Sequence, residues 1–449
     1  GSKYFVTGWY NINEYRNNNL NSFEIILYEN TNAIEFRYDK INISNHDITI
    51  GLQGNNEAVT YLRYEDTNST NHTRTDKWSI STKLDESYSN LASECLTDSN
   101  FSALCNFYDL GNDTEEDDIF YFIDYLIKIK NRDTGEVIHE CEYDAKGKRV
   151  MICFDSKAIG DTLAWFPYVE EFRKKHQCEV IVSTFHNEWF KDNYPDLEFI
   201  EPGDTVYNLY ARYDVGWYYN KPEYHEDNTV DSNKIPFDFR KGPLGKTCSD
   251  VLGLDYKEVK PKLTFKNTGS TIEGDYVVIA PHGSAHAKYW NREGGWQDVI
   301  DHLNNKGYKV VMITQELLGN EWHDSKLGGT LKNVIDKTGD APLSERANDM
   351  MNAKAFIGIG SGLSWLAWGL GTPVTMISGF SKPYSEFEDC ERIFTPEGKC
   401  NGCFNKTQLN AGDWEWCPEH KDTDRHYECT KSIPSSTVID AVNKQLGIL

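Results

Sequence analysis

From residue 148 onward, short apolar runs alternate with stretches whose apolar residues recur every three or four positions. The run 149–154 is followed by Leu163, Phe166, Val169 and Phe172, which would share one face of a helix. Further apolar runs occupy 179–183, 275–280, 308–314, 355–359 and 374–378. Because strands separated by helices form parallel sheets, and a break near 255–272 divides the series, we predict an α/β protein with two doubly wound, Rossmann-like domains, 148–255 and 273–449. A ligand is expected in the cleft at the carboxyl ends of their strands.

The first 147 residues follow a different pattern. The runs 23–28, 34–38, 47–51 and 59–64 are typical of β-strands and predict a β-sandwich-like module over 1–83. The polar, acidic stretch 84–118 is typical of a linker. The runs 125–130 and 136–141 flank a turn containing Asp-Thr-Gly, which predicts a β-hairpin region over 119–147. This N-terminal β region contains no evident catalytic group.

The charge balance excludes some classes of partner. The 449 residues include 46 basic and 70 acidic ones, a net charge of −24. Since phosphates are neutralised by clustered Lys and Arg, we expect neither nucleic acid nor an anionic membrane surface as a partner. No run of about eighteen apolar residues is present, so no membrane span is expected.

Four of the eleven cysteines lie close together near the end of the chain. Cys400 and Cys403 form a C-x-x-C pair around a glycine, and Cys417 and Cys429 follow. Four thiolates suit tetrahedral zinc or iron, whereas two disulfides or unrelated buried thiols are the alternative. We predict a structural metal site in the loop 389–430, because four thiolates leave no position open for a substrate. A thiol-rich metal loop fits a reducing compartment, so we expect a cytoplasmic protein.

Three loops at predicted strand ends carry the candidate chemistry. The first contains Asp161, placed after Gly160 where a helix is expected to begin. An Asp at a helix start is commonly an N-cap, and a carboxylate in this position is equally suited to act as a general base. The two roles are not exclusive, and the sequence does not choose between them.

The second loop, 281–290, follows a predicted buried strand and is rich in small residues. Small residues let the backbone approach a phosphate, and Lys288 supplies a point charge for it. A solvated side chain is the default for any single lysine, so the candidate rests on its position beside Trp290. We predict that Lys288 and Trp290 contact a donor molecule.

The third loop, 358–365, ends a strand and opens a helix. Its residues Ser361, Gly362, Leu363 and Ser364 would present backbone N–H groups at the helix start, where the helix dipole favours an anion. The glycine spacing matches neither the dinucleotide fingerprint nor a P-loop. We therefore predict a donor-binding anion site without assigning the nucleotide from this motif.

Five ordered blocks closely resemble bacterial autotransporter heptosyltransferases. They are 159–168 (IGDTLAWFPY), 236–241 (PFDFRK), 287–291 (AKYWN), 361–368 (SGLSWLAW) and 377–381 (ISGFS), and the four cysteines resemble that family's cysteine loop as well. The resemblance extends from about residue 119 to the end. More distantly, 361–373 resembles the donor loop of lipopolysaccharide heptosyltransferases, where a His commonly stands in place of Trp365.

The resemblance implies a GT-B glycosyltransferase that moves a heptose from ADP-heptose onto Ser or Thr hydroxyls of an acceptor protein, such as an autotransporter or another exported protein. It implies that Asp161 is the base, that Lys288 binds the donor phosphates, and that the cysteines hold iron rather than zinc. It also implies a homo-oligomer. Lys288 and the helix start after Ser361 would stabilise the leaving diphosphate, so we expect no divalent metal in catalysis.

Two functions from other classes stay open. A nucleotide-sugar transferase acting on a lipid or glycan would share the donor loops and transfer to a sugar instead of a polypeptide. A non-catalytic binding or assembly protein would keep the fold and lose nothing measurable on substitution of Asp161. The segment 1–118 lies outside the resemblance, and from its position we hypothesise that it recognises the acceptor.

Overall fold

The computed structural model describes residues 143–219, 230, 235, 237–410 and 412–448 with their side chains, and the strand backbone within 4–142. In the latter region eleven strands form two antiparallel sheets. One has the order β1-β2-β3-β7-β10-β11, with β6 also paired to β3, and the other has the order β4-β5-β9-β8. The strands are β1 Tyr4–Asn13, β2 Leu20–Tyr28, β3 Ala33–Ile43, β4 Ile48–Gln53, β5 Val59–Tyr64, β6 His72–Arg74, β7 Trp78–Leu84, β8 Cys95–Asp98, β9 Phe101–Leu104, β10 Tyr125–Asn131 and β11 Val137–Glu142.

The predicted hairpin is confirmed, since β10 pairs with β11 in antiparallel register, and the predicted strands 23–28 and 34–38 pair in the same way as β2 and β3. Two features differ from the sequence prediction. The segment 84–118, predicted to be a linker, contains β8 and β9, and β10 pairs along β7, so the 119–147 hairpin continues the sheet of the preceding module. The strands β8 and β9 have only four residues each, which is too short for an alternating pattern to stand out from their polar surroundings.

The first α/β domain is a parallel sheet of order β14-β13-β12-β15. Its strands are β12 Arg149–Phe154, β13 Glu179–Ser183, β14 Leu197–Ile200 and β15 Ala211–Val215, and its helices are α1 Ile159–His176 and α2 Leu244–Val251. From its sequence alone, the Tyr-rich run 207–224 is expected to be a surface excursion, but β15 lies within it, so that expectation is wrong for this strand. In that strand Ala211, Tyr213 and Val215 are buried, because every second residue faces the core.

Helix α1 connects the sheet to the rest of the molecule. The predicted apolar face is confirmed, since Leu163, Phe166, Val169 and Phe172 are all fully buried. Trp165 and Tyr168 are buried too, as are Thr162 and Ala164, so the buried positions extend around most of the helix. A helix that is apolar on more than one face must be covered on more than one side. Helices α2 and α6 provide that cover.

The second α/β domain is a six-stranded parallel sheet of order β18-β17-β16-β19-β20-β21. Its strands are β16 Tyr276–Ala280, β17 Lys309–Met312, β18 Ile335–Asp336, β19 Ala355–Ile359, β20 Val374–Ser378 and β21 Glu391–Phe394, and its helices are α3 Gly295–Asn305, α4 Glu321–Asp324, α5 Leu343–Met351, α6 Gly362–Leu370, α7 Glu428–Lys431 and α8 Ser435–Leu446. Numbered within the domain, the order is 3-2-1-4-5-6, which is that of the doubly wound nucleotide-binding fold. The predicted loop 389–430 therefore begins with a sheet strand, β21, and is irregular only after it.

The two domains are joined by residues 254–275, which contain neither helix nor strand. This segment returns along the first domain, where the Lys262 amide donates to the Tyr194 hydroxyl and the Thr264 amide to the Trp189 carbonyl. The predicted break near 255–272 falls within this segment. None of the described helices is both long and apolar enough to cross a bilayer.

Candidate active site

The loops that carry the candidate residues leave the two sheets where the strand order reverses. In the first sheet β12 and β15 are neighbours, and in the second β16 and β19 are neighbours. The loops that follow such a pair diverge to opposite faces and leave a crevice between them. Asp161 follows β12, Lys288 follows β16 and Ser361 follows β19, so the topology brings all three to strand carboxyl ends.

Asp161 is not an N-cap. Helix α1 begins at Ile159, and its N-cap is Ala158, which makes no side-chain capping bond. The Asp161 carboxylate instead accepts two hydrogen bonds on Oδ2, one from Ser156 Oγ at 2.5 Å and one from Trp217 Nε1 at 2.6 Å. Among the residues described with side chains, no donor bonds Oδ1. One carboxylate oxygen is therefore fixed, and the other is left for a further partner.

The surroundings of Asp161 adjust its acidity. Burial raises the pKa of the Asp161 carboxyl above its usual range, and the hydrogen bonds from Ser156 and Trp217 and the charge of Lys288 offset only part of that shift. A carboxylate with a raised pKa is a stronger base than an exposed one. Perturbed carboxyls of this kind cluster at functional sites.

Lys288 comes from the second domain to the same cleft. Its Nζ donates to Ser284 Oγ at 2.9 Å and lies 5.5 Å from the centre of the Phe380 ring. Burial lowers the pKa of Lys288, while the carboxylates of Asp161 and Glu386 act in the opposite direction. The site thus brings together one ammonium group and two carboxylates in a poorly hydrated space, where electrostatic interactions are strong.

The backbone at the start of α6 has the arrangement that the predicted anion site requires. Ser361 is the N-cap residue in extended conformation, and its hydroxyl is buried without a hydrogen-bond partner in the described part of the chain. The first N–H groups of a helix, here those of Gly362 and Leu363, have no acceptor within the helix. The Ser364 hydroxyl donates to the Ile359 carbonyl at 2.5 Å and is fully buried, so it shapes the loop.

Trp290 lies away from the cleft, contrary to our assignment of it to donor contact. Its side chain is fully buried, its indole N–H donates to the Ile433 carbonyl at 3.2 Å, and its ring packs edge-on against Trp296. Gly295 leaves room for this ring, since a Cβ there would lie 2.8 Å from it. Trp290 is therefore a core residue of the second domain, and its proximity to Lys288 in sequence was misleading.

Two residues of the site were missed in the sequence. Trp217 follows β15 inside the run that we took for a surface excursion, and the alternation of Ala211, Tyr213 and Val215 was the signal that a strand ends just before it. Glu386 is buried and accepts from the Ser381 hydroxyl and from Arg392 Nη1, the latter at 3.0 Å. Burial raises the pKa of Glu386, and the charges of Arg392 and Lys288 counteract it.

The cysteine loop packs beside this cleft. All four predicted ligands are free thiols, with Cys403, Cys417 and Cys429 buried and Cys400 half-buried. The C-x-x-C turn contains Gly402 at φ 71°, and its amide donates to the Gly379 carbonyl at 2.9 Å, just after β20. A Cβ at Gly402 would also crowd the Lys382 side chain, but it is the positive φ that favours glycine here.

The thiols suit a metal by their chemistry and proximity. Burial raises the pKa of Cys403 to about 12, and negative charge on Cys429, Cys400 and Cys417 contributes to that rise. Among the described residues, however, no group of three or more His, Cys, Asp and Glu side chains is arranged to hold an ion. The assignment of these cysteines as ligands remains a prediction.

Comparison with protein families gives two matches. Residues 244–405 match the model of glycosyltransferase family 9 (heptosyltransferase). Residues 1–90 match the model named NIDO related. The first match spans α2, the whole Lys288 and Ser361 loops and the C-x-x-C turn, whereas the second lies within the β region that precedes both α/β domains.

Individual relatives extend the first match. The autotransporter heptosyltransferase BAHTCr of Citrobacter rodentium is 36% identical over 332 residues, which are 72% of this chain and 77% of BAHTCr. The inactive autotransporter heptosyltransferase BimC of Burkholderia thailandensis is 28% identical over 333 residues, 73% of this chain and 75% of BimC. The family thus includes a member that has lost activity.

Solved structures of TibC match the fold. TibC from enterotoxigenic E. coli H10407, described as an iron-containing dodecameric glycosyltransferase, aligns with a TM-score of 0.64 and 34% identity over 73% of this chain and 86% of TibC. TibC in complex with ADP-D-beta-D-heptose aligns with a TM-score of 0.67 and 30% identity, over 89% of this chain and 96% of TibC. These matches confirm the predicted GT-B architecture, and with the coverage of BAHTCr they show that the chain belongs to the autotransporter heptosyltransferase family of glycosyltransferases.

Proposed function

We propose that the protein transfers a heptose from ADP-heptose to Ser or Thr hydroxyls of an acceptor protein. The observation that carries the proposal is the pairing of Asp161 from the first domain with Lys288 from the second, close enough for each charge to shift the pKa of the other. A base and a phosphate-binding cation on opposite sides of one cleft are what a transfer from a nucleotide sugar to a hydroxyl requires.

The chemistry follows from these positions. As the acceptor oxygen attacks the anomeric carbon of the heptose, its proton passes to Oδ1 of Asp161. The bond between the anomeric carbon and the diphosphate oxygen breaks, and its electron pair leaves with ADP. Lys288 and the N–H groups of Gly362 and Leu363 stabilise the charge that gathers on the leaving diphosphate. With this charge supplied by the protein, we propose that turnover needs no divalent metal.

The choice of ADP-heptose as donor is supported by TibC, which has been crystallised with ADP-D-beta-D-heptose and shares the fold of both α/β domains. The buried Ser361 hydroxyl, which lacks a partner among the described residues, is available to donate to a donor phosphate or sugar oxygen. The Trp365 ring, where distant relatives commonly have His, lies 3.2 Å from the Cβ position of Gly160. The ring thus packs against the start of α1.

We further propose that Cys400, Cys403, Cys417 and Cys429 hold a structural iron. Support comes from the iron-containing TibC and from a donor set of four thiols, although zinc fits that donor set equally well. A metal there would cross-link the irregular residues that follow β21 and keep the loop docked beside β20. It supplies no step of the transfer.

The acceptor side and the assembly are less directly supported. The relatives that carry the name autotransporter heptosyltransferase favour an exported protein as acceptor, glycosylated in the cytoplasm before export. TibC is dodecameric, which favours a homo-oligomer here. For the β region 1–118 we keep the proposal of acceptor recognition. Because β10 pairs with β7, a clean deletion should end after β11 and remove 1–142.

Mass spectrometry of acceptors tests the function. The protein is incubated with ADP-heptose, and in parallel with UDP- and GDP-sugars, in the presence of an autotransporter passenger protein, a Ser- and Thr-rich peptide, or a lipid-linked glycan. We expect one or more heptose additions on Ser or Thr of the protein with ADP-heptose alone. Transfer only to the glycan would indicate the alternative acceptor class, and no transfer to any acceptor would favour a non-catalytic protein like BimC.

The same assay tests the N-terminal region. Removal of 1–142 should leave transfer to the short peptide unchanged and reduce transfer to the intact protein. Equal rates on both acceptors, before and after the deletion, would contradict the recognition role.

A further inference from the structure

Trp217 is the residue of the cleft for which the proposed chemistry gives no role so far. It stands two residues after β15, half-buried, and its Nε1–H donates to Asp161 Oδ2 at 2.6 Å. A hydrogen bond from an N–H to a carboxylate at this distance is of the strong, charge-assisted kind. An indole has a single donor and no acceptor, so this bond fixes the direction in which the ring must face.

The ring of Trp217 is held by aromatic side chains of both domains. Trp165 of α1 lies 5.5 Å away between ring centres, and Phe239 lies 4.6 Å away in an edge-to-face arrangement. Phe404, which directly follows Cys403 in the second domain, contacts the ring edge-on at 6.0 Å. Phe404 is itself anchored, because its amide donates to the Phe380 carbonyl.

We propose that Trp217 is a positioning residue for the transfer reaction. Its indole N–H fixes Oδ2 of Asp161, so that Oδ1 faces the acceptor hydroxyl. Phe404 aligns the Trp217 ring when the cysteine loop is docked. The proposal rests on the proposed role of Asp161 as the base. It makes the orientation of a carboxylate in the first domain depend on a loop of the second, so closing the cleft and aligning the base become one event.

The proposal has a consequence for pH dependence. The groups that act on Asp161 are Ser156 from its own loop, Trp217 from the loop after β15, and Lys288 from the second domain. The charge of Lys288 also interacts with Glu386. The bonds from Ser156 and Trp217 both lower the pKa of Asp161. Removing the indole N–H should therefore raise that pKa, and since the deprotonated form is the base, the acidic limb of the rate profile should move to higher pH.

Trp217→Phe keeps an aromatic ring and removes the N–H. We expect kcat to fall about 10- to 100-fold, the loss typical for a hydrogen bond to a charged group, with KM for ADP-heptose unchanged and the acidic limb displaced upward. Phe404→Leu, which leaves the N–H in place, should shift both readouts in the same direction by less. Trp290→Phe is the matched control, because it also removes a buried indole hydrogen bond, to the Ile433 carbonyl at 3.2 Å, from a ring that contacts neither Trp217 nor Asp161.

If Trp217→Phe does not fold, Trp217 is replaced by its benzothienyl analogue, in which sulfur takes the place of the N–H and the ring shape is kept. An unchanged kcat and pH profile in either Trp217 variant overturns the proposal, as does an equal pH displacement in Trp290→Phe. Asp161→Asn is measured alongside. If Asp161→Asn abolishes turnover while the Trp217 variants behave like the parent, the positioning role fails and the proposed base stands. If Asp161→Asn keeps full turnover, both fail.

Discussion

Gly362 of the second α/β domain packs directly on Gly160 of the first. A Cβ on Gly362 would lie 3.3 Å from the Gly160 amide nitrogen and 2.8 Å from Ile159 Cβ. With no side chain between them, the starts of α6 and α1 come into contact. The residue after Gly160 is Asp161, so this contact sets the spacing between the proposed base and the proposed anion-binding helix start.

Gly362→Ala should push the two helix starts apart. The Gly160 backbone and the branched Ile159 side chain lie where the new methyl group would be placed. We therefore expect a loss of about 1–3 kcal/mol in the free energy of unfolding and a fall in kcat, both measured against the parent. Gly369→Ala, in the last turn of the same helix, is the control. Its Cβ would meet only side-chain atoms of Leu263 and Pro261 at 3.1 and 3.3 Å. Equal effects of the two substitutions would contradict the importance of the helix contact.

The pH range over which kcat/KM is high should be narrower than it would be if Asp161 and Lys288 had the pKa values of exposed residues. Burial raises the pKa of Asp161, so the base is lost to protonation, as pH falls, at a higher pH than for an exposed Asp. Burial also lowers the pKa of Lys288, so the phosphate-binding charge is lost, as pH rises, at a lower pH than for an exposed Lys. Rate profiles with ADP-heptose measure both limbs. A profile whose limbs match free Asp and Lys would contradict the burial of the pair.

Lys288→Met keeps most of the side-chain length and removes the charge. We expect KM for ADP-heptose to rise and kcat to fall, which together lower kcat/KM by roughly 100-fold. The reason is that the variant removes the positive charge that would bind the donor phosphate in a buried site. Lys309→Met serves as the control. Lys309 is exposed and begins β17, so it lies at the amino end of the parallel strands, whereas Lys288 follows the carboxyl end of β16. A similar change in both variants would mean that overall charge, not the position of Lys288, matters.

Replacing Cys400 or Cys403 with Ser should lower the metal content and the melting temperature before it affects chemistry, because the proposed metal braces the loop. Elemental analysis and thermal unfolding measure these effects. Cys390→Ser changes a cysteine that precedes β21 and should keep the metal content of the parent. A Cys403 variant that stays folded and metal-loaded but loses turnover would contradict the bracing role.

Much of the α/β fold could be predicted, because each buried strand is a short apolar run whose neighbours are amphipathic. The runs at β12, β19 and β20 coincide with the strands observed. β15 was missed because Ala211–Val215 alternates Arg and Asp with apolar residues, as an edge strand does, amid polar tyrosines. The strand β18 has two residues and leaves no pattern to find.

The site could be predicted only where its residues follow a recognisable strand. Asp161, Lys288 and Ser361 each follow one, and the structure brings them to the same edge of the two sheets. Trp217 follows β15, whose alternation was overlooked among polar neighbours, whereas Glu386 reaches the cleft through tertiary packing, which leaves no local signal. Trp290 shows the converse, since an aromatic residue two positions from the proposed phosphate-binding lysine lies in the core.

The rate of heptose transfer by Asp161→Asn tests the central claim most directly. Transfer from ADP-heptose to the acceptor protein is followed by intact-protein mass spectrometry for the parent, Asp161→Asn and Asp155→Asn. Asp155, the control, is an exposed residue that directly follows β12. We predict that Asp161→Asn lowers kcat by about 100-fold or more while folding and donor binding persist, and that Asp155→Asn is close to the parent. Transfer by Asp161→Asn at the parent's rate would contradict the account.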